Sequence, residues 1–287
     1  MKFVNFKLDN QIRVGVRLEK GIMDVAQISE AYDLDLPDTM EKIIGAGSPA
    51  LEKLKKYSEI TSVLIDESNI IFAPCITNPE KIICIGLNYM DHADESKMDL
   101  PTSPVVFSKF NNAIAAHQQD ILLPSNAKQF DYEAELVIII GKMTKNITYE
   151  NAMSHIFGYT IGNDLSARDL QFRTGQWLLG KTCDGFAPIG PYLVTSDEVN
   201  SFNLEISCKV NGELRQHGNT KNMIFDCAYI VSYLSQHMTL KPGDIIFTGT
   251  PAGVILGYQE EKRVWLKSGD EVSVSIEKIG TLKNKLK

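Results

Sequence analysis

Hydrophobic and polar positions near the N-terminus alternate in short stretches that are interrupted by turn residues. This pattern predicts three strands followed by two helices, over residues 3–8, 12–18, 21–25, 39–44 and 49–57. Ser48 is the predicted N-cap of the second helix, with Pro49 as its first residue. These elements predict a small α/β module over residues 1–72, followed by a larger domain over residues 73–287.

Most of the remaining chain has the pattern of a β protein. Apolar or alternating runs of strand length occur at residues 81–86, 105–110, 136–140, 157–161, 204–211 and 271–279. Helical spacing is found at residues 150–156 and 223–238. Residues 174–191 contain repeated glycine and proline, which predicts a loop.

Two glutamates stand immediately before the apolar run at residues 136–140. Glu133 and Glu135 are two positions apart, so on a strand their side chains point to the same side. Asp164 follows the next strand and could be a third member. Such close carboxylates repel one another, and a hard divalent cation such as Mg²⁺, Mn²⁺ or Ca²⁺ is the simplest compensation. The alternative is a solvated strand edge whose glutamates pair with lysines.

Further candidate residues lie in polar segments. His92 and Glu95 are three positions apart and share one face if their segment is helical. A carboxylate beside an imidazole raises its basicity, which suits a general base; the alternative is a surface contact. Residues 96–104 are polar and contain prolines, which predicts a loop or lid. Lys181 could be desolvated with a lowered pKa, although its own segment favours an exposed loop lysine.

Composition excludes several classes of partner. The 287 residues carry a formal net charge of -7, which argues against nucleic acid or an anionic membrane. No apolar run has the length of a transmembrane helix, and the first residues lack the apolar core of a signal peptide. The five cysteines are odd in number and have no CxxC spacing, so they are interpreted as reduced thiols of a cytoplasmic protein.

Six motifs occur in a fixed order: GLNYMDHADE, DYEAEL, GNDLSARDLQ, the segment around Lys181, VNGELRQ and KPGDIIFTGTPAGV. Together they resemble the fumarylacetoacetate hydrolase superfamily over about residues 80–287. The resemblance is to bacterial members of the acylpyruvase, oxaloacetate decarboxylase and 2-hydroxyhepta-2,4-diene-1,7-dioate isomerase type. The N-terminal module is similar to one that many bacterial members carry.

The resemblance implies a fold, a metal and an assembly. The fold is expected to be α+β and mostly β, with packed mixed sheets in the larger domain. The expected metal is Mg²⁺ or Mn²⁺, with Ca²⁺ as a further possibility, held by Glu133, Glu135 and Asp164. The expected assembly is a homodimer built on the larger domain.

The resemblance also implies roles for further side chains. His92 and Glu95 would form the dyad that activates water or moves a proton, and Lys181 would stabilise or protonate the developing carbanion. The residues expected to face the substrate are Arg168, Gln171 and Thr250. True fumarylacetoacetate hydrolases have a further aspartate ligand shortly before the histidine, where this chain reads CIGLNYM. A site with three carboxylates is typical of the acylpyruvate, oxaloacetate and homoprotocatechuate-pathway branches.

These residues suit chemistry on a small 2-oxo acid or diacid. The metal would act as a Lewis acid and stabilise an enolate of the bound substrate. We expect C–C bond hydrolysis or decarboxylation, of an acylpyruvate or of oxaloacetate. The alternatives are an isomerase or tautomerase and a sugar-acid lyase or dehydratase. Outside the enzymes, the alternative is a catalytically silent dicarboxylate-binding protein, against which the complete set of candidate residues argues.

Overall fold

The computed structural model describes residues 1–90 and 101–287. Its strands are β1 (Lys2–Leu8), β2 (Gln11–Leu18), β3 (Gly21–Asp24), β4 (Ile71–Ala73), β5 (Ile82–Gly86), β6 (Val105–Lys109), β7 (Ile114–Ala115), β8 (Phe130–Asp131), β9 (Ala134–Ile140), β10 (Ile156–Asn163), β11 (Ser166–Ala167), β12 (Ala187–Thr195), β13 (Glu205–Val210), β14 (Glu213–Asn219), β15 (Ile245–Phe247), β16 (Glu271–Ile276) and β17 (Gly280–Lys285). Its helices are α1 (Val25–Ala31), α2 (Met40–Ala46), α3 (Ser48–Ile60), α4 (Tyr149–Ala152), α5 (Arg168–Gln171), α6 (Leu178–Lys181) and α7 (Cys227–His237). No helix in these described ranges is long and apolar enough to cross a membrane.

The largest sheet has the strand order β3-β2-β1-β12-β10-β9-β15-β5-β6, with β4 beside β1 and β7 beside β12. At its centre β9 and β10 are antiparallel and every residue of both is buried, so neither shows the apolar–polar alternation of a half-exposed strand. The sheet is mixed, because β15 pairs antiparallel with β9 and parallel with β5. A second, antiparallel sheet has the order β14-β13-β16-β17, and β8 and β11 form a short separate ladder.

The main hydrophobic core lies where the two larger sheets and α7 meet. One cluster of buried apolar side chains contains Leu136 and Ile161 from the large sheet, together with Ile206, Val274 and Ile230. Full burial of such a side chain stabilises the fold by roughly 1.5–3 kcal/mol. The packed mixed sheets confirm the predicted α+β, mostly β fold class.

The N-terminal strands continue the large sheet. β1 pairs antiparallel with β12, with Phe3 opposite Leu193. A second apolar cluster joins Met40 of α2 to Val137 of β9. Backbone hydrogen bonds and packing therefore connect residues 1–72 with the rest of the chain, while the domain boundary at this point stays a prediction.

The predicted loop at residues 174–191 is wrong in part: residues 174–177 and 182–186 are irregular, but the segment also contains α6 and the first half of β12. Gly180 serves close packing: a Cβ there would lie 2.3 Å from the Gln171 nitrogen and 2.5 Å from the Ala167 carbonyl. The glycine that indicated a loop instead allows α6 to contact α5.

The predicted Ser48 cap is also wrong. α3 begins at Ser48 itself, its N-cap is Gly47, and no side chain caps it. Gly47 has a φ of 61°, which a glycine adopts without a steric penalty, so the chain can turn directly from α2 into α3.

Candidate active site

A cavity of about 540 Å³ opens beside β5, β6 and the start of β9, a volume typical of small-molecule sites. The described charged side chains that line it are Glu133, Glu135, Arg168, Lys181, Glu260 and Arg263. Aromatic residues form another part of the wall, with Phe107 and Trp177 in edge-to-face contact at 5.4 Å between ring centroids.

The three carboxylates predicted as metal ligands come together at one end of β9 and β10. The antiparallel register places Glu135 opposite Gly162, and the Asp164 N–H donates to the Glu133 carbonyl over 2.9 Å. One carboxylate oxygen from each of Glu133, Glu135 and Asp164 lies within 4.8 Å of the others, and all three residues are buried. The structure thus brings these residues together, while their role as ligands stays a prediction.

Lys181 lies among the carboxylates rather than in an exposed loop. Its Nζ donates to Asp164 Oδ2 over 2.8 Å and to Glu133 Oε2 over 2.9 Å, and the residue is 1% exposed. Burial alone would lower the pKa of Lys181, but Asp164 and Glu133 outweigh that effect and raise it. The expectations of an exposed side chain and of a lowered pKa were therefore both wrong.

Arg168 holds the other side of the same cluster. Its Nη2 lies 2.7 Å from Glu133 Oε1, its Nε donates to Asp131 Oδ2 over 2.9 Å, and its Nη1 donates to Gln171 Oε1 over 2.9 Å. Burial opposes the charged form, but Asp131 and Glu133 raise the pKa of the guanidinium. Arg168 and Gln171 are the first and last residues of α5, so this short helix fixes both at the cavity wall.

Lys109 is a third buried cation in this cluster. It is the last residue of β6, and its Nζ lies 2.5 Å from Asp164 Oδ1. The same ammonium group donates to the carbonyls of Leu165 and Phe186, over 3.0 Å and 2.7 Å. Asp164 is therefore held by two lysines, one from each side.

Glu135 is the least compensated of the carboxylates. Its Oε2 accepts the Gly249 N–H over 2.6 Å, and among the described residues it has no ion-pair partner. Burial, followed by repulsion from Asp164 and Glu133, raises its pKa well above the ordinary value.

The donor set fits a hard divalent cation. Two of the three carboxylates are already paired with lysine or arginine, so the cation expected from the sequence is only part of the compensation. A divalent ion would satisfy Glu135, and the remaining lone pairs of Glu133 and Asp164 would complete an all-oxygen ligand set.

The loop that follows β15 completes this part of the cavity. Gly249 has a φ of 97°, and a Cβ there would lie 2.7 Å from Asn88 Cβ, so a glycine is needed for its N–H to reach Glu135. The next residue, Thr250, lines the cavity, and its Oγ1 accepts a 2.8 Å hydrogen bond from Gln216 Nε2.

The chain is similar to known proteins over the segment that carries the six motifs. A family model described as the fumarylacetoacetate (FAA) hydrolase C-terminal domain matches residues 81–287. A mitochondrial oxaloacetate tautomerase of Rattus norvegicus is 41% identical over 288 residues, which cover 100% of this chain and 91% of that protein. The chain belongs to the fumarylacetoacetate hydrolase family.

Solved structures of the family agree with this assignment. A fumarylacetoacetate hydrolase from Exiguobacterium antarcticum has a TM-score of 0.87 and 37% identity, covering 100% of this chain and 99% of that one. A 2-hydroxyhepta-2,4-diene-1,7-dioate isomerase from Mycobacterium marinum has a TM-score of 0.78 and 33% identity, covering 100% and 98%. The chain is an enzyme of this family, and the resemblance noted in the sequence is confirmed.

The site residues predicted from sequence fall into two groups: those that the structure describes and those that lie outside the described ranges. Lys181, Arg168, Gln171 and Thr250 line the cavity together with Glu133 and Glu135, while Asp164 is fully buried and contacts Lys181. His92 and Glu95, the predicted catalytic dyad, lie outside the described residues, as does most of the predicted lid. Their roles stay predictions.

Lys109 and Asp131 were not singled out in the sequence analysis, yet both form ion pairs in the carboxylate cluster. Asp131 is fully buried, and its carboxylate accepts backbone N–H groups of Tyr132, Ile255 and Leu256 besides pairing with Arg168. For Lys109 the available signal was a charge at the end of a strand, which also marks ordinary surface positions, and for Asp131 it was its place at the start of the motif DYEAEL.

The five cysteines of this chain are free thiols, and all but Cys183 are buried. Burial raises the pKa of Cys75 to about 11 and that of Cys227 to about 12, so neither is a thiolate at neutral pH. This agrees with the interpretation of reduced, packed cysteines.

Proposed function

We propose that the protein catalyses keto–enol tautomerisation of a small 2-oxo diacid such as oxaloacetate, with Mg²⁺ or Mn²⁺ held by Glu133, Glu135 and Asp164. The observation that carries this proposal is a cavity lined by Glu133, Glu135, Lys181 and Arg168, with the buried Asp164 2.8 Å from Lys181. When bound, the metal would polarise the keto oxygen and acidify the adjacent C–H bond.

The buried cations would bind and orient the substrate. The cluster of Asp131, Glu133, Glu135 and Asp164 carries four negative charges against three positive charges on Lys109, Lys181 and Arg168. A divalent ion reverses that balance and makes the cavity attractive to an anionic substrate. Neighbouring donors on Gln171 and Thr250 would hold the substrate carboxylate.

The proton must leave the carbon beside the keto group and reach the keto oxygen. Lys181 has its ammonium within hydrogen-bond distance of two candidate ligands, so it is placed to stabilise negative charge on that oxygen or to protonate it. The dyad of His92 and Glu95, predicted from sequence, would take the proton from carbon.

Tautomerisation is preferred over the other reactions because a relative 41% identical over 288 residues is named an oxaloacetate tautomerase. Decarboxylation and C–C hydrolysis begin with the same activation beside the keto group, so they remain distinct outcomes for experiment. A homodimer and a cytoplasmic location also remain proposals.

The test follows enol-rich oxaloacetate with metal-stripped protein, before and after addition of Mg²⁺ or Mn²⁺. Loss of the enol absorbance should accelerate at least 100-fold over the same metal without protein, without matching release of pyruvate and CO₂. Release of pyruvate and CO₂ at the same rate would identify a decarboxylase. No metal-restored acceleration would contradict the proposal.

A further inference from the structure

The loop of residues 255–263 borders the cavity, and its first two residues are held by Asp131. The Asp131 carboxylate accepts the N–H groups of Ile255 and Leu256 over 2.8 Å and 3.0 Å, while it also pairs with Arg168. The chain then continues along the cavity from Leu256 to Glu260 and returns to it at Arg263. The loop is therefore part of the site and held in a defined place.

Arg263 lines the cavity and has no ion-pair partner among the described residues. Its Nε donates to the Tyr258 carbonyl over 2.9 Å, which leaves both terminal nitrogens of the guanidinium without an ion pair to any described residue. The other described cations that line the cavity, Lys181 and Arg168, are each paired with two carboxylates. Glu260 also lines the cavity but makes no described ion pair with Arg263.

Apart from Arg263, the described wall offers a second anionic group no cation that is free of carboxylate partners. Phe107, Trp177 and Leu256 are apolar, and a carboxylate placed against them would lose its hydration without compensation. A guanidinium with two free terminal nitrogens matches a carboxylate in a bidentate geometry. The cavity volume of about 540 Å³ also exceeds the needs of the 2-oxo acid group alone.

We propose that Arg263 binds the second carboxylate of a 2-oxo diacid and so makes the enzyme selective for diacids over monoacids. This inference rests on the proposed function, because it takes the 2-oxo acid end to bind at the carboxylate cluster. Tyr258 is a positioning residue, since its carbonyl accepts the hydrogen bond that holds the Arg263 Nε.

The experiment compares diacids with monoacids of equal chain length. Calorimetric titration of the Mg²⁺-loaded protein uses 2-oxoglutarate against 2-oxopentanoate, and 2-oxoadipate against 2-oxohexanoate. For at least one length, the diacid should bind about 10- to 100-fold more tightly than its partner. Arg263→Gln should remove that preference and leave the monoacid affinity within about twofold, since the lost bond involves only the second carboxylate.

Two further variants separate this binding role from general effects of charge and folding. Lys262→Gln removes the same charge from the adjacent, exposed residue and should keep the diacid preference. Arg263→Lys keeps the charge but not the bidentate fork, so it should retain part of the preference. Equal affinity for diacid and monoacid in the unaltered protein, or an unchanged preference in Arg263→Gln, would overturn the proposal.

Failure of the proposed function gives a different result. In that case oxaloacetate tautomerisation is not accelerated, while the diacid preference and its loss in Arg263→Gln persist in the titrations. If Arg263 does not bind the second carboxylate, tautomerisation is still accelerated, but Arg263→Gln leaves the relative affinities for diacid and monoacid unchanged.

Discussion

Ion pairs in two regions of the molecule each join a basic and an acidic side chain, but in different surroundings. In the N-terminal strands, Arg17 lies 3.3 Å from Glu67, with side chains 35% and 26% exposed. In the site, Lys181 lies 2.8 Å from Asp164, with side chains 2% and 0% exposed. Water can replace a partner in the first pair and not in the second.

The difference in solvent exposure determines how much each ion pair contributes to stability and how much its loss costs. A half-exposed pair contributes about 0–1 kcal/mol, because solvent screens it and the side chains lose entropy. Breaking a buried pair costs about 3–5 kcal/mol, because the remaining charge stays buried without a partner. The buried cluster is therefore a poor choice for stability alone, and its retention around a cavity is what a binding site for charged ligands requires.

The largest expected effect is that of Lys181→Met, which removes a cation shared by two carboxylates. Metal-restored turnover should fall about 100- to 1000-fold, because the group that stabilises charge on the keto oxygen is lost. Single-turnover and steady-state rates measure this. Thermal melting should also show a loss of stability, and unchanged turnover would remove Lys181 from the mechanism.

Next is Glu135→Gln, which should weaken metal binding by about 100-fold or more. The metal-free fold should survive, since the amide carries no charge and its oxygen can still accept the Gly249 N–H. Isothermal titration with Mn²⁺ measures the affinity. An affinity close to that of the unaltered protein would reject Glu135 as a ligand.

The pH dependence of metal binding follows from the same residue. Burial and neighbouring carboxylates raise the pKa of Glu135, so the metal-free protein holds a proton there below that pKa. Because the metal needs the ionised carboxylate, affinity should increase as the pH rises, with release of a proton on binding. Glu135→Gln should lose this component of proton release.

A smaller effect is expected for Asp131→Asn, which removes the charge between Arg168 and the cavity loop. Stability should fall by about 1–3 kcal/mol, because Arg168 keeps Glu133 but loses its second partner. Urea unfolding measures the change. A diacid KM that rises more than kcat falls would show that Asp131 acts through the loop.

The smallest effect is expected at the N-terminal strands. Arg17 and Glu67 are both partly exposed, so water can compensate either charge when its partner is removed. Arg17→Gln should therefore cost at most about 1 kcal/mol in urea unfolding and leave turnover unchanged. A large loss of activity in Arg17→Gln would end the distinction between the two regions.

Much of the framework could be predicted from local pattern. The apolar runs predicted β9 and β10, and the two-residue spacing of Glu133 and Glu135 predicted that their side chains lie on the same side. Local pattern failed at Lys181, because glycines that allow close packing of helices look like those of a loop. The partnership of Lys109 with Asp164 depends on sheet order, and no local pattern carries that information.

The pairing of β1 with β12 has a mechanical consequence. β12 also pairs with β10, and Asp164 is the residue that follows β10, so continuous backbone hydrogen bonding runs from the second residue of the chain to a candidate metal ligand. Local opening of the N-terminal edge would therefore be transmitted across the sheet toward the cavity. We therefore expect β1, β12 and β10 to belong to one cooperative unit of opening, which hydrogen exchange of their amides would show.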